Sequence, residues 1–134
     1  MQEQEFITAV RESLDLPDNA SAGTAVRATL AVLGRRLSGG EGKDLASQLP
    51  GSLAQQIPDD APGERFDVTT FYQRIAEAER AEGREVTDAQ ARQHARAIAK
   101  GLETALSNGE WRNFTSQLPK DYADFLGTEP VEKH

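Results

Sequence analysis

The sequence predicts an all-α protein: eight helices arranged as two pseudo-twofold-related four-helix repeats sharing one core. Three observations predict it. The phrase "LSGGEGKDLASQLP" at residues 37–50 returns as "LSNGEWRNFTSQLP" at residues 106–119, an offset of 69. Large apolar residues recur at i, i+4 and i+8, the spacing of one helix face rather than of a strand. Nineteen alanines favour helix and let helices approach closely.

The duplication extends past the phrase. Between residues 37–57 and 106–126, nine of 21 positions are identical, and Lys43/Arg112, Leu45/Phe114, Leu53/Tyr122 and Ile57/Leu126 exchange like for like. Arg27/Arg96, Ala28/Ala97 and Leu33/Leu102 keep the same offset; Phe6/Phe71 and Val10/Ile75 match at 65, so copy two holds about four extra residues near "EGRE". The expected layout is one domain over 1–126, with repeats at 1–57 and 67–126 and a Pro/Asp/Gly-rich linker at 58–66. Residues 127–134 lack periodicity and read as a frayed tail.

Within each copy the first helix comes from an apolar stripe, Phe6, Val10 and Leu14, or Phe71, Ile75 and Ala78. Leu16-Pro17 stops it in copy one, because a residue before proline is pushed out of the helical region. In copy two Asp67 is the N-cap and the helix ends near Gly83. The second helix is long. Asp18 caps it in copy one, and Thr87 with Gln90 forms a capping box in copy two. Its buried positions are Ala22, Val26, Leu30, Leu33 and Leu37, matched by Ala91, Ala95, Ala99, Leu102 and Leu106. Alanine thus replaces Val26 and Leu30 in copy two, which leaves room for larger neighbours.

Leu37 and Leu106 end the long helix. Gly39 and Asn108 are expected in the left-handed conformation that follows many helices. Glu41 and Glu110 open the third helix, near exposed N–H groups that favour negative charge. It buries Leu45/Phe114 and Leu49/Leu118. Pro50 and Pro119 break it and start a fourth helix, which buries Leu53/Tyr122 and Ile57/Leu126.

The bulk composition narrows the function classes. Leu, Ile, Val and Phe make up about one-fifth of the chain, near the lower bound for a packed core. The net charge is −7, from 22 acidic and 15 basic residues, so a phosphate backbone is repelled and nucleic-acid binding is not expected. Cysteine is absent, which removes disulfides and thiolate chemistry. No leader or membrane-spanning run is read, and the balance fits a soluble cytoplasmic protein without a membrane partner.

Taken in order, an early Phe, "LSGGEGKDLASQLP", "FYQRIAEAE", "ARQHARAIAKGL" and "LSNGEWRNFTSQLPKDYADFL" resemble the bacterial family catalogued as domain of unknown function 2267. The resemblance covers nearly the whole chain. It implies a small all-α protein and carries no catalytic residues or cofactor. Trp111 and Asn113, where copy one has Gly42 and Asp44, are a mild departure.

Motifs for chemistry are sparse. His94 and His134 have no partner at ligand spacing, so no metal or other cofactor is expected. Ser38, Ser47, Ser107 and Ser116 recur without a nucleophile elbow; Ser47 and Ser116 read as local bonds to backbone. Arg27/Arg96 and Glu41/Glu110 admit two readings: an ion pair in each copy, or arginines lining a groove for an anion or a partner carboxylate. Arg92, Arg96 and Lys100 form a basic row, either a solvated face or a dock for an acidic helix. Trp111 either fills space over Ala95 and Ala99 or projects as an interaction anchor. Arg27, Arg92, Arg96, Lys100 and Trp111 together are the candidate anion or partner surface. The leading expectation is a non-enzymatic interaction or regulatory protein, with another protein or a second copy as partner. The rival is a small-molecule or anion binder with a pocket at the repeat junction.

Overall fold

The computed structural model describes residues 2–58 and 60–127. Eight α-helices follow one another: α1 (Glu3–Leu14), α2 (Asn19–Arg36), α3 (Gly39–Ala46), α4 (Gly51–Ala54), α5 (Val68–Ala81), α6 (Asp88–Ala105), α7 (Asn108–Thr115) and α8 (Ala123–Leu126), the last entered through a 3-10 turn at Lys120–Tyr122. The described residues contain no strand, only one antiparallel bridge between Ser38 and Pro62. Residues 128–134, including His134 and most of the expected tail, lie outside the described part.

Caps set the helix starts. Asp18, Asp67 and Thr87 each accept from a backbone N–H three residues on: Ser21 at 2.8 Å, Thr70 at 2.9 Å and Gln90 at 3.1 Å. Those bonds satisfy donors that a helix start leaves open, and they hold the Asp18 and Asp67 carboxyls below the ordinary range. Ser38 with Glu41, and Ser107 with Glu110, close matching capping boxes on α3 and α7. The repeated phrase is therefore a folding instruction. Ser47 and Ser116 hydroxyls donate back to the Asp44 and Asn113 carbonyls, both at 2.7 Å.

Three local expectations change. Leu37 (φ −82°, ψ 151°) and Ser38 (φ −67°, ψ 163°) leave α2 in extended conformation. Gly39 and Asn108 are the first residues of the next helices rather than left-handed C-caps. Two extended residues suffice for the corner because each serine side chain caps the helix that follows. Left-handed backbone instead ends α1 at Asp15 (φ 55°), ahead of Pro17, and α5 at Gly83 (φ 87°). Finally, Pro50 and Pro119 are N-caps rather than first helical residues. The 3-10 turn after Pro119 has three residues per turn, so Phe125 rather than Leu126 falls in line with Tyr122 and enters the core.

The core takes Phe6 and Val10 from α1, Val26, Leu30 and Leu33 from α2, Phe71 and Ile75 from α5, and Ala95, Ile98 and Leu102 from α6. Phe71 meets Phe125 edge-on at 4.8 Å and Tyr122 at 5.3 Å. The linker is fastened to this body. Glu64 N–H donates to the Arg35 carbonyl at 2.9 Å, Gly63 turns with φ 82° against Ser38, and Phe66 is buried.

Glycine decides the α2–α3 corner. A Cβ on Gly34 would lie 2.4 Å from Pro58 Cδ and 3.1 Å from Ile57 Cγ2, and one on Gly42 would lie 3.0 Å from the Pro58 carbonyl oxygen. The segment after α4 thus packs directly on two bare backbones. Copy two places Glu103 and Trp111 at these positions. Trp111 there is half-buried and stands 5.7 Å from Phe114.

Candidate functional site

Three polar centres stand out, and each uses residues that only one repeat possesses. The first joins α5, α6 and α8 around Asp124. Arg92 donates from Nε to Oδ2 at 2.8 Å and from Nη2 to Oδ1 at 2.7 Å, a two-pronged contact. Arg96 Nη1 donates to the Asp124 carbonyl and, at 3.3 Å, to Oδ1. The Tyr72 hydroxyl donates to Oδ2 at 2.7 Å. Hydrogen bonding from Arg92 outweighs burial and holds the Asp124 carboxyl down at about 2. Burial, followed by the Asp124 carboxylate, pushes the Tyr72 phenol upward. The matching positions in copy one are Gly23, Arg27, Ile7 and Gln55, so no such network forms there.

The second centre is a carboxylate–imidazole pair. Glu79, 1 % exposed, lies 2.9 Å from His94 Nδ1. It occupies the stripe position that Leu14 fills in copy one. The pair borders a cavity of about 170 Å³ with Leu16, Ser21, Arg84 and Val86. The Ser21 hydroxyl donates to Asp18 at 2.9 Å, so it belongs to the α2 cap rather than to the imidazole. Among the described residues no group of three or more His, Cys, Asp or Glu is placed to hold a metal.

The third centre lies where the end of α2 meets Phe66 and the 3-10 turn. Arg36, at the end of α2, is 9 % exposed. Its Nε donates to the Phe66 carbonyl at 3.0 Å, and its guanidinium carbon stands 5.3 Å from the centre of the Tyr122 ring. The Tyr122 hydroxyl donates to the same carbonyl at 2.7 Å. Burial raises the Tyr122 phenol, and the Arg36 charge partly opposes it. Arg36 borders a polar cavity of about 420 Å³ together with Ser38, Glu41, Gly63, Arg65 and Gln117.

The structure does not gather the five sequence candidates into one place. Arg92 and Arg96 meet at Asp124. Arg27 pairs with Glu82 at 2.8 Å, beyond the end of α5. Lys100 lies on the rim of a groove between α1 and α6, and Trp111 packs on Phe114. The supposed Arg27–Glu41 and Arg96–Glu110 ion pairs do not form. Both glutamates are held in their capping boxes, accepting from Ser38 and Ser107 N–H at 3.1 and 3.0 Å. Glu79, Arg36 and Asp124 were not singled out by sequence. One signal was available: Glu79 breaks an apolar stripe at the place of Leu14. Asp124 and Arg36 gain meaning only from partners 28 to 52 and 30 residues away, respectively.

Residues 3–125 match the family described as an uncharacterized conserved protein, DUF2267. No curated protein matches the chain.

Proposed function

The chain belongs to the DUF2267 family, a membership that fixes no activity, and we propose that this protein acts by binding rather than by catalysis. We read it as a non-enzymatic interaction or regulatory protein made of two pseudo-twofold-related repeats. Support for the twofold comes from which helices touch. Contacts of α1 with α6 and of α2 with α5 are exchanged by such an axis, and α2 meets its own counterpart α6. Asn113 Nδ2 also donates to Asp44 Oδ2 at 3.2 Å, and these two residues are 69 positions apart. A residue meets its own equivalent only near a twofold axis.

The observation that carries the interaction reading is a pair of matching surface grooves. One, about 190 Å³, runs between α1 and α6 over Phe6, Val10, Ala97 and Gly101. The other, about 450 Å³, runs between α2 and α5 over Ala31, Val32 and Ala78. Small residues along a helix–helix groove admit the apolar face of a third, amphipathic helix. The proposed occupant is such a helix from a protein partner, with Lys100 and Arg35 bordering the grooves and favouring an acidic one.

Affinity capture with the wild-type chain, Ala97→Arg and Ala31→Arg tests the reading, with circular dichroism confirming that each variant folds. One partner is expected to be retained by the wild type, to drop by about tenfold or more in a groove variant, and to be unaffected by Arg112→Ala. Retention indifferent to both groove variants refutes the proposal. A dimer mass in light scattering that the same variants abolish would make a second copy the occupant instead. The second reading, a small-molecule or anion binder with a pocket at the repeat junction, is favoured by the cavity beside Arg36.

A further inference from the structure

We infer that the cavity beside Arg36 is a binding site for a small organic oxyanion, a carboxylate or a phosphate ester, seated on the free edge of that guanidinium. The inference rests on the second reading above and not on the interaction reading. Arginine carries five N–H donors in a fixed fork. In Arg36 the Nε–H is taken by the Phe66 carbonyl, and the guanidinium carbon stands over the Tyr122 ring. The hydrogen bonds among the described residues include no other donation from the Arg36 side chain, although the guanidinium also acts on the nearby Tyr122 hydroxyl, partly opposing the rise that burial gives its pKa. The Nη1 and Nη2 donors are not sealed off either: the buried side-chain polar atom without a partner is Thr29 Oγ1, not a nitrogen of Arg36. A side chain nine-tenths buried therefore keeps its end-on edge open to the cavity it borders. That edge presents two parallel N–H groups, the geometry that matches two oxygens of a carboxylate or phosphate.

The surroundings suit the same class of ligand. Arg36 and Arg65 bring two positive charges against the single carboxylate of Glu41, whose Oε1 already accepts from Ser38 N–H. Within that lining the cations outnumber the carboxylate, while Asp67 and Asp121 act on the neighbouring Tyr122 hydroxyl. Ser38 and Gln117 add neutral hydrogen-bonding groups. A water occupies about 30 Å³ of liquid, so a cavity of about 420 Å³ admits a ligand with a body behind its anionic head. The repeat itself does not require the arginine, since copy two has Ala105 at this position.

Amide NMR titration of the full chain with succinate and with glycerol 3-phosphate, each against sodium chloride at matched ionic strength, tests the site. Saturable shifts are expected at the Ser38, Gly63 and Gln117 amides with one or both probes. A response to succinate alone assigns carboxylate ligands, one to glycerol 3-phosphate alone assigns phosphate esters, and each supports the site. Arg65→Gln, on an exposed rim, should weaken binding by about fivefold without changing Tm, and Arg36→Lys, which keeps charge but loses the fork, by about tenfold or more. Shifts that match chloride, or binding undiminished in Arg65→Gln and Arg36→Lys, overturn the inference. Saturable shifts confined to other residues also overturn it while leaving a small-molecule binder elsewhere, whereas silence throughout removes both.

Discussion

Replacing Asp124 with Asn removes one charge from the α5–α6–α8 junction with almost no change in shape. The carboxyl drops from 3.8 to about 2 in the folded chain, a difference of about 1.8. At about 1.36 kcal/mol for each such step, that corresponds to at most about 2.4 kcal/mol. The side chain is 36 % exposed and Arg92 is 46 % exposed, so solvent screening reduces the charge contribution to about 1 kcal/mol. A depressed pKa stabilises the fold above the unfolded value of 3.8, and the benefit disappears as pH falls through about 2. Urea denaturation near pH 7 should therefore show Asp124→Asn less stable by about 1 kcal/mol, a Tm loss of a few degrees for a chain this size. The gap should close between about pH 4 and pH 2, because the wild-type carboxyl becomes neutral there as well. A gap unchanged across that interval would show that the substitution acts through packing, and would refute the charge argument.

Further outcomes follow from individual contacts. Gly34→Ala should destabilise the fold by about 1–3 kcal/mol in the same assay, since overpacking against Pro58 outweighs helix propensity. Gly109→Ala, where a Cβ meets nothing within 4 Å, should be neutral or stabilising by up to about 1 kcal/mol. Glu79→Ala, which strips His94 of its hydrogen-bond partner, should cost about 1–3 kcal/mol, and Glu79→Gln distinctly less because a hydrogen bond survives. Ser38→Ala and Ser107→Ala should each cost about 1 kcal/mol, and measured unfolding free energies of the double variant should show the two losses adding.

Much of the fold was legible because its signals are local. Caps, capping boxes and apolar stripes act over three to eight residues, so Asp18, Asp67 and Thr87 could be placed from spacing alone. Turn geometry was harder. A glycine after a helix reads as a left-handed cap, yet Gly39 begins α3 because Ser38 caps it, and positive φ falls instead at Asp15, Gly83 and Gly127 after other helices. The candidate site was hardest to read. Asp124 lies 28 to 52 residues from the Arg96, Arg92 and Tyr72 side chains it joins, and Arg36 lies 30 residues from Phe66. No periodicity encodes such separations.

The sequence by itself determined the helices and their order and the identity of the main core residues, since each follows from hydrophobic period and end-capping within a few turns of chain. The tertiary structure alone decided which polar side chains meet. It seats Pro58 against the bare backbones of Gly34 and Gly42, brings α8 onto α6 so that Asp124 faces Arg92 and Arg96, and sets Arg36 beside a polar cavity with Ser38 and Gln117. The physical reason is range: a helix is specified by neighbours along the chain, whereas a site is specified by neighbours in space, and those exist only once the core has closed.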